Sequence, residues 1–164
     1  MAYNFVDPRI GAQGIAVADS TQNHPLGTVV RAKDPTLGEG DFIYVQASNS
    51  ITQYDAVAIK HGYKVAPLTL TNAKTAVEIG FAQTAIGTKG DYFWAQKNGR
   101  PIVRFALATQ PDVALYASAT GGVLDDASNS AMIAGLVAIT QVTNSAGPAT
   151  CVARYPTIVL GRQS

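Results

Sequence analysis

One stretch in the middle of the chain decides the fold: Asp91-Tyr-Phe-Trp-Ala-Gln96, then Lys97-Asn-Gly-Arg-Pro101 and Ile102-Val-Arg-Phe-Ala-Leu107. The two flanking runs are rich in β-branched and aromatic residues, which favour strands. Between them, the Asn98-Gly99 step is typical of tight turns that need positive φ angles. The stretch therefore predicts a β-hairpin.

Short runs of the same kind continue on both sides of this stretch. Val77, Ile79 and Phe81 alternate with smaller or polar residues, which is the pattern of a half-buried strand. Residues 55–60 and 63–65 flank a His61-Gly62 turn and predict a second hairpin. Further strand-like runs lie at 42–45, 113–116, 136–142 and 150–155.

Taken together, these runs predict an all-β fold, a small β-barrel or sandwich of about eight to ten short strands. The period is ambiguous in residues 127–139, where a short helix is an alternative to a strand.

The first 40 residues differ from the rest of the chain. They contain eight of the glycines and prolines, and the apolar runs between these residues are short. A long segment of this kind is uncommon within a compact domain and often has a binding role. Because its apolar content is high for a solvated tail, we expect residues 1–40 to form an extended N-terminal arm that orders against a partner. Residues 41–164 are then the β-barrel domain.

Charge and length narrow the classes of function. The chain has 164 residues, a length typical of one domain, and its net charge is +1. Residues 60–104 hold seven basic and two acidic side chains, but these are spaced among core-like residues, as on a solvated face. No run of 18 apolar residues and no signal-peptide pattern is present. We expect no nucleic-acid partner, no membrane partner, and synthesis in a cytoplasm.

Titratable groups are too few and too scattered to predict an enzyme. The chain has two histidines, His24 and His61, which are expected to be solvated turn residues, and two glutamates. The single cysteine, Cys151, lies in a strand-like run and is expected to be a small buried residue. Asp125-Asp126 offers too few ligands for Ca²⁺. We therefore predict no catalytic residue, no metal and no cofactor.

Aromatic residues offer a second candidate site. Alternation along a strand places Tyr92 and Trp94 on one face and Phe93 on the other. Core packing together with a contact at a subunit interface is the plainer interpretation of this aromatic set. The alternative is that Tyr92 and Trp94 form a surface that stacks on sugars or bases. This leaves open a carbohydrate- or host-surface-binding module of a virion as an alternative function. A β-barrel enzyme with an unrecognised site is the third alternative.

Three segments resemble a known family. They are His24-Pro-Leu-Gly-Thr-Val-Val-Arg-Ala-Lys-Asp-Pro-Thr-Leu-Gly-Glu-Gly-Asp-Phe-Ile-Tyr-Val45, the 91–103 stretch with Gly99-Arg-Pro-Ile-Val103, and Val113-Ala-Leu-Tyr-Ala-Ser-Ala-Thr-Gly-Gly-Val-Leu124. They are similar to the capsid cement, or head decoration, proteins of tailed bacteriophages. The resemblance extends from residue 24 to about residue 140 and is structural rather than catalytic.

The resemblance implies a small β-barrel on the outer surface of the phage head, synthesised in the host bacterial cytoplasm. It implies a homotrimer whose N-terminal arm binds the major capsid protein and so bridges neighbouring subunits of the mature shell. The residues that we expect to contact the capsid are Tyr3, Phe5, Val6, Ile10, Val29, Val30 and Arg31.

Overall fold

The computed structural model describes residues 4–5, 14–143 and 145–160. It is nearly all β, with 49% strand and 5% helix, which confirms the predicted fold class. The described residues form twelve strands, more than the eight to ten predicted, because several are only two to four residues long. The strands are β1 (Asn4–Phe5), β2 (Val29–Asp34), β3 (Gly38–Ala47), β4 (Ala56–Ile59), β5 (Lys64–Pro67), β6 (Glu78–Ala82), β7 (Tyr92–Gly99), β8 (Ile102–Phe105), β9 (Leu115–Ala117), β10 (Leu124–Asp125), β11 (Ala131–Ala138) and β12 (Gly147–Leu160).

Five of these strands close into a barrel. β3 pairs with β5 in parallel and with β7 antiparallel, and the circuit is completed by β5–β4, β4–β6 and β6–β7. Along β3 the side chains alternate, so that Ile43 and Val45 face the interior while Phe42 and Tyr44 face outward. All four are buried, which means that both faces of β3 are covered and explains its unbroken apolar run.

The strands β8 to β12 form a second closed circuit of pairings, β8–β12–β11–β9–β10–β8, which we call the second ring. Its buried residues, such as Phe105 and Leu115, pack in one cluster with Ile79 and Phe81 from the outer side of β6. This cluster therefore packs the outer side of the barrel against the second ring.

The predicted hairpin at Asn98-Gly99 is wrong, although both of its strands exist. β7 and β8 do not pair with each other: β7 pairs with β3, β6 and β12, whereas β8 pairs with β12 and β10. A two-residue hairpin turn of the favoured type needs positive φ at both central residues, but only Gly99 has it, at +101°. The chain turns at Gly99 and crosses from the barrel to the second ring.

Residues 14–40 lie against the barrel. Ile15, Val30 and Ala32 are buried with Phe42 and Trp94 in a cluster on the outer side of β3 and β7. β2 is paired with β3 over six positions, and residue 40 lies within β3. Residues 14–40 of the predicted arm are thus part of the folded domain.

Two other local predictions have clear outcomes. The hairpin around His61-Gly62 is confirmed, because β4 and β5 pair antiparallel on either side of a 3₁₀ turn at His61–Tyr63. Residues 131–138 form β11, so the alternative of a helix there is wrong. The helix that does form, α1 (Leu70–Ala73), begins with a capping box in which Thr69 and Asn72 bond each other's backbone N–H.

Candidate functional site

The outer edge of β2 is the first feature of the candidate site. The Tyr44 N–H donates to the Thr28 carbonyl (2.9 Å), and backbone groups of an antiparallel strand alternate in direction. Val30 therefore turns its N–H and C=O towards β3, whereas Val29 and Arg31 turn theirs away from it.

Among the described residues, only a short part of this edge is covered by another strand. β1 pairs only with Ala32 and Lys33, and within residues 14–143 and 145–160 no strand pairs with the outward backbone groups of Val29 and Arg31. The side chain of Val29 is 52% exposed, and that of Arg31 is 57% exposed. An extended segment of a partner could pair with this edge and contact both side chains.

The carboxylate of Asp41 lies next to this edge and collects three donors. Arg31 Nε donates to Oδ1 (2.9 Å) and Asn98 Nδ2 donates to Oδ2 (3.0 Å). The hydroxyl of Tyr155 also donates to Oδ2. Because these donors belong to β2, β7 and β12, one buried carboxylate on β3 links four strands and joins the barrel to the second ring.

The same donors control the pKa of Asp41. Burial acts to raise it, but the hydrogen bonds from Arg31, Tyr155 and Asn98 outweigh burial and lower the pKa to about 2. The hydrogen bond to Asp41 raises the pKa of Tyr155, and it also raises that of Arg31. The network therefore keeps Asp41 ionised at any physiological pH.

Tyr155 reaches Asp41 because β12 is irregular at this point. The register runs from Ala153 opposite Leu136 to Thr157 opposite Ala134, so three residues of β12 oppose one of β11. Tyr155 has φ +46°, in the left-handed region that bulky residues rarely adopt. The bulge turns its ring out of β12 towards the barrel and leaves the side chain half exposed.

The structure decides between the core and surface roles predicted for Trp94. Its side chain is completely buried, with its ring 4.9 Å from that of Tyr44, so it is a core residue and not a surface aromatic. Tyr92 is half-buried, stacks on Tyr44 at 6.0 Å and accepts a hydrogen bond from Gln46. A sugar-binding platform made of Tyr92 and Trp94 together is absent from the described surface.

His24 is also placed differently from the prediction. It is half-buried rather than solvated, with ring centroids 5.2 Å from Tyr44 and 5.3 Å from Trp94. Its Nε2 is buried and has no hydrogen-bond partner among the described residues. His61 is exposed in the turn between β4 and β5.

The predicted capsid-contact residues fall into four groups. Val29 and Arg31 are exposed on β2, as a contact role requires, but Val30 is only 4% exposed and packs inward. Its burial corrects the prediction that it is a contact residue. Phe5 is described by its backbone alone, opposite Ala32. The remaining three, Tyr3, Val6 and Ile10, lie outside the described residues.

Among the described residues, the side chains that could bind a metal ion do not cluster. Cys151 is buried as predicted, and burial raises the pKa of its thiol. In residues 14–143 and 145–160, no group of three or more His, Cys, Asp and Glu side chains could hold a metal ion. None of the described helices is long and apolar enough to cross a membrane.

Asp41 and Tyr155 were missed by reasoning from the sequence. A signal existed for Asp41, since Pro35 and Gly38 mark a turn that places Arg31 opposite Asp41 in a hairpin. No local signal exists for Tyr155, which lies 114 residues from Asp41 along the chain.

Two comparisons with known proteins give no relative. No family model matches the chain, and no curated protein matches it significantly.

Proposed function

We propose that this protein is a decoration protein of a tailed-bacteriophage head. In this role it binds the outer surface of the shell and bridges neighbouring copies of the major capsid protein. The observation that carries the proposal is the outer edge of β2, where the backbone groups of Val29 and Arg31 point away from β3 without a partner strand among the described residues.

Strand addition at such an edge suits the task. Main-chain hydrogen bonds supply affinity, and the alternating side chains of Val29, Arg31 and Lys33 fix the register of the partner. The edge is rigid because β2 is anchored by buried Val30 and Ala32. A preformed edge loses little conformational entropy on binding, which favours affinity.

The stabilising effect follows from mass action. A protein that binds only the mature shell lowers the free energy of that shell by RT ln(1 + [L]/Kd) at every site. A homotrimer, which is part of this proposal, links three such contacts and raises their combined affinity through effective concentration. The outward apolar side chains of β11 and β12, among them the facing pair Val137 and Val152, offer a surface for self-association.

Val29→Pro tests the edge directly. Proline lacks an N–H, but the N–H of Val29 does not bond to β3, so the substitution is suited to the edge and leaves the β2–β3 ladder intact. We expect binding to phage heads that lack their decoration protein to weaken about fivefold per contact, the equivalent of ~1 kcal/mol for one hydrogen bond. The measurement is sedimentation of the protein with such heads.

Val29→Ala is the matched control, because it shortens the same side chain and keeps the N–H. We expect it to weaken binding less than Val29→Pro. Circular dichroism and light scattering establish that both variants retain the fold and the oligomeric state of the parent. Equal binding by Val29→Pro and the parent, or equal losses in both variants, would contradict strand addition at this edge.

A further inference from the structure

A groove lies beside the turn that joins β4 and β5. Its volume is about 160 Å³, and it is lined by Ile59, by the turn at Lys60–Tyr63 and by Val77 and Glu78. An enclosed cavity of about 150 Å³ can hold a benzene ring, so the groove has room for one large apolar side chain.

The two apolar walls of the groove are held in place by the fold. The ring of Tyr63 occupies the space beside Gly27 that a side chain would otherwise fill, although Tyr63 remains 40% exposed. Val77, which also lines the groove, is 47% exposed, and its N–H donates to the Ile59 carbonyl (2.8 Å). A ligand therefore finds an aromatic wall and an aliphatic wall already formed.

The rim of the groove is basic. Lys60, His61 and Lys64 are all exposed around the turn. The one acidic residue at the groove, Glu78, is paired with the ammonium of Lys97. The charge of Glu78 is compensated, and no ion pair among the described residues involves Lys60 or Lys64. The charge left at the rim is therefore that of the lysines, which attracts anionic groups.

We propose that this groove binds a short acidic peptide segment of a partner protein, with one aromatic or aliphatic side chain inserted between Tyr63 and Val77. The carboxylates that flank the inserted side chain contact Lys60 and Lys64. The groove is lined by residues other than those of the β2 edge, and this proposal does not rest on the function proposed above.

The probe is the blocked pentapeptide acetyl-Glu-Glu-Phe-Glu-Glu-amide, titrated into the ¹⁵N-labelled full chain at low ionic strength, where charge contacts are least screened. We expect saturable shifts at the amides of Gly62, Tyr63 and Val77. Replacing the central Phe of the peptide by Gly, or all four Glu by Lys, should weaken binding at least about tenfold. Equal binding of the Glu and Lys peptides would overturn the proposal, as would shifts located elsewhere on the protein.

Two variants test the walls and the rim separately. Val77→Glu should weaken binding of the acidic peptide about tenfold, and Val113→Glu is its control because Val113 is an exposed valine remote in sequence from the groove. The double variant Lys60→Gln/Lys64→Gln, which changes only exposed side chains, should weaken binding several-fold even if Val77→Glu fails to fold. Unchanged affinity in the lysine variant would overturn the charge assignment. Tighter binding of the oligonucleotide dT6 than of the peptide would also overturn the proposal, in favour of a nucleic-acid site.

Discussion

Two buried carboxylates, Asp41 and Asp55, both connect the barrel to the second ring, and their surroundings have opposite effects. Asp41 accepts from Arg31, Asn98 and Tyr155, and its pKa falls to about 2. Asp55 accepts from Arg104 (2.6 Å) and from the Thr52 N–H (2.8 Å), yet burial dominates and its pKa is raised.

The difference teaches that an ion pair is not by itself stabilising. At Asp41 the three donors more than replace the water that the carboxylate lost, so the ionised form is favoured. At Asp55 the two donors do not fully offset the desolvation of a side chain that is 3% exposed. Asp41 therefore strengthens its junction, whereas Asp55 is tolerated at a junction whose stability comes from packing and backbone bonds.

The largest effect is expected at Gly122, which lies against Asp55. Gly122 has φ +75°, and a Cβ there would overlap the carboxyl group of Asp55, which Arg104 and Thr52 hold in place. Gly122→Ala should reduce the free energy of unfolding by at least about 3 kcal/mol, from backbone strain together with steric overlap. Urea denaturation measures it.

Gly62→Ala is the control for backbone strain alone. Gly62 has a similar φ of +77°, but nothing lies within 4 Å of the position of its Cβ. Gly62→Ala should reduce the free energy of unfolding by only about 1 kcal/mol. Equal losses at the two positions would mean that the contact with Asp55 contributes nothing.

An intermediate effect is expected from Arg104→Met, which leaves Asp55 buried without its cation. Because the side chain of Arg104 is 31% exposed, we expect a loss of about 2 kcal/mol at pH 8, less than for a fully buried pair. The absence of the Arg104 guanidinium raises the pKa of Asp55 further. When folding raises the pKa of a carboxyl group, the protein becomes more stable as the pH falls through that folded-state pKa. The loss of unfolding free energy in Arg104→Met should therefore be smaller at pH 5.

The measurement is urea denaturation of the parent and the variant at pH 8 and pH 5. A loss that is the same at both pH values would contradict the role assigned to Asp55.

The smallest effect is expected from Tyr155→Phe, which removes one of the three donors to Asp41. The loss should be about 1 kcal/mol, and the pKa of Asp41 should rise from about 2. A carboxyl group whose pKa is lowered by folding stabilises the protein at pH values above its unfolded-state pKa. This stabilisation is lost as the pH falls through the folded-state pKa. The parent should therefore lose the contribution of Asp41 between about pH 4 and pH 2, and the variant should lose less.

NMR titration of the Asp41 carboxyl carbon, with urea denaturation at pH 6, measures both effects. Tyr116→Phe is the control, since the Tyr116 hydroxyl makes no hydrogen bond among the described residues. An unchanged pKa of Asp41 in Tyr155→Phe would contradict the network.

Several elements could be predicted because they depend on neighbouring residues. The alternation of Val77, Ile79 and Phe81 identified the strand that became β6, and the turn at His61-Gly62 identified the β4–β5 hairpin. Both depend on side-chain period and turn chemistry within about ten residues. The Asn98-Gly99 step failed for the opposite reason: β7 and β8 find better partners among strands distant in sequence.

The candidate site was only partly predictable. Val29 and Arg31 were identified as contact residues, and they are exposed on the outer side of β2. Val30 was assigned to a contact surface and a surface role was considered for Trp94, but both are buried. Ile15 and Leu26 pack in the same cluster, and His24 lies against Trp94. No pattern within β7 alone reveals whether its outer face is covered.

The sequence by itself determined the all-β class and most of the strands, because side-chain period and turn residues act locally. Its composition also determined that the chain has few side chains of the kinds used in catalysis. The tertiary structure decided which strands pair, which apolar faces are covered and which charges meet. Asp41 and Tyr155 illustrate the reason. Their hydrogen bond depends on a bulge that turns one side chain out of β12, and on the packing that brings that strand to β3. Both are properties of contacts between distant segments.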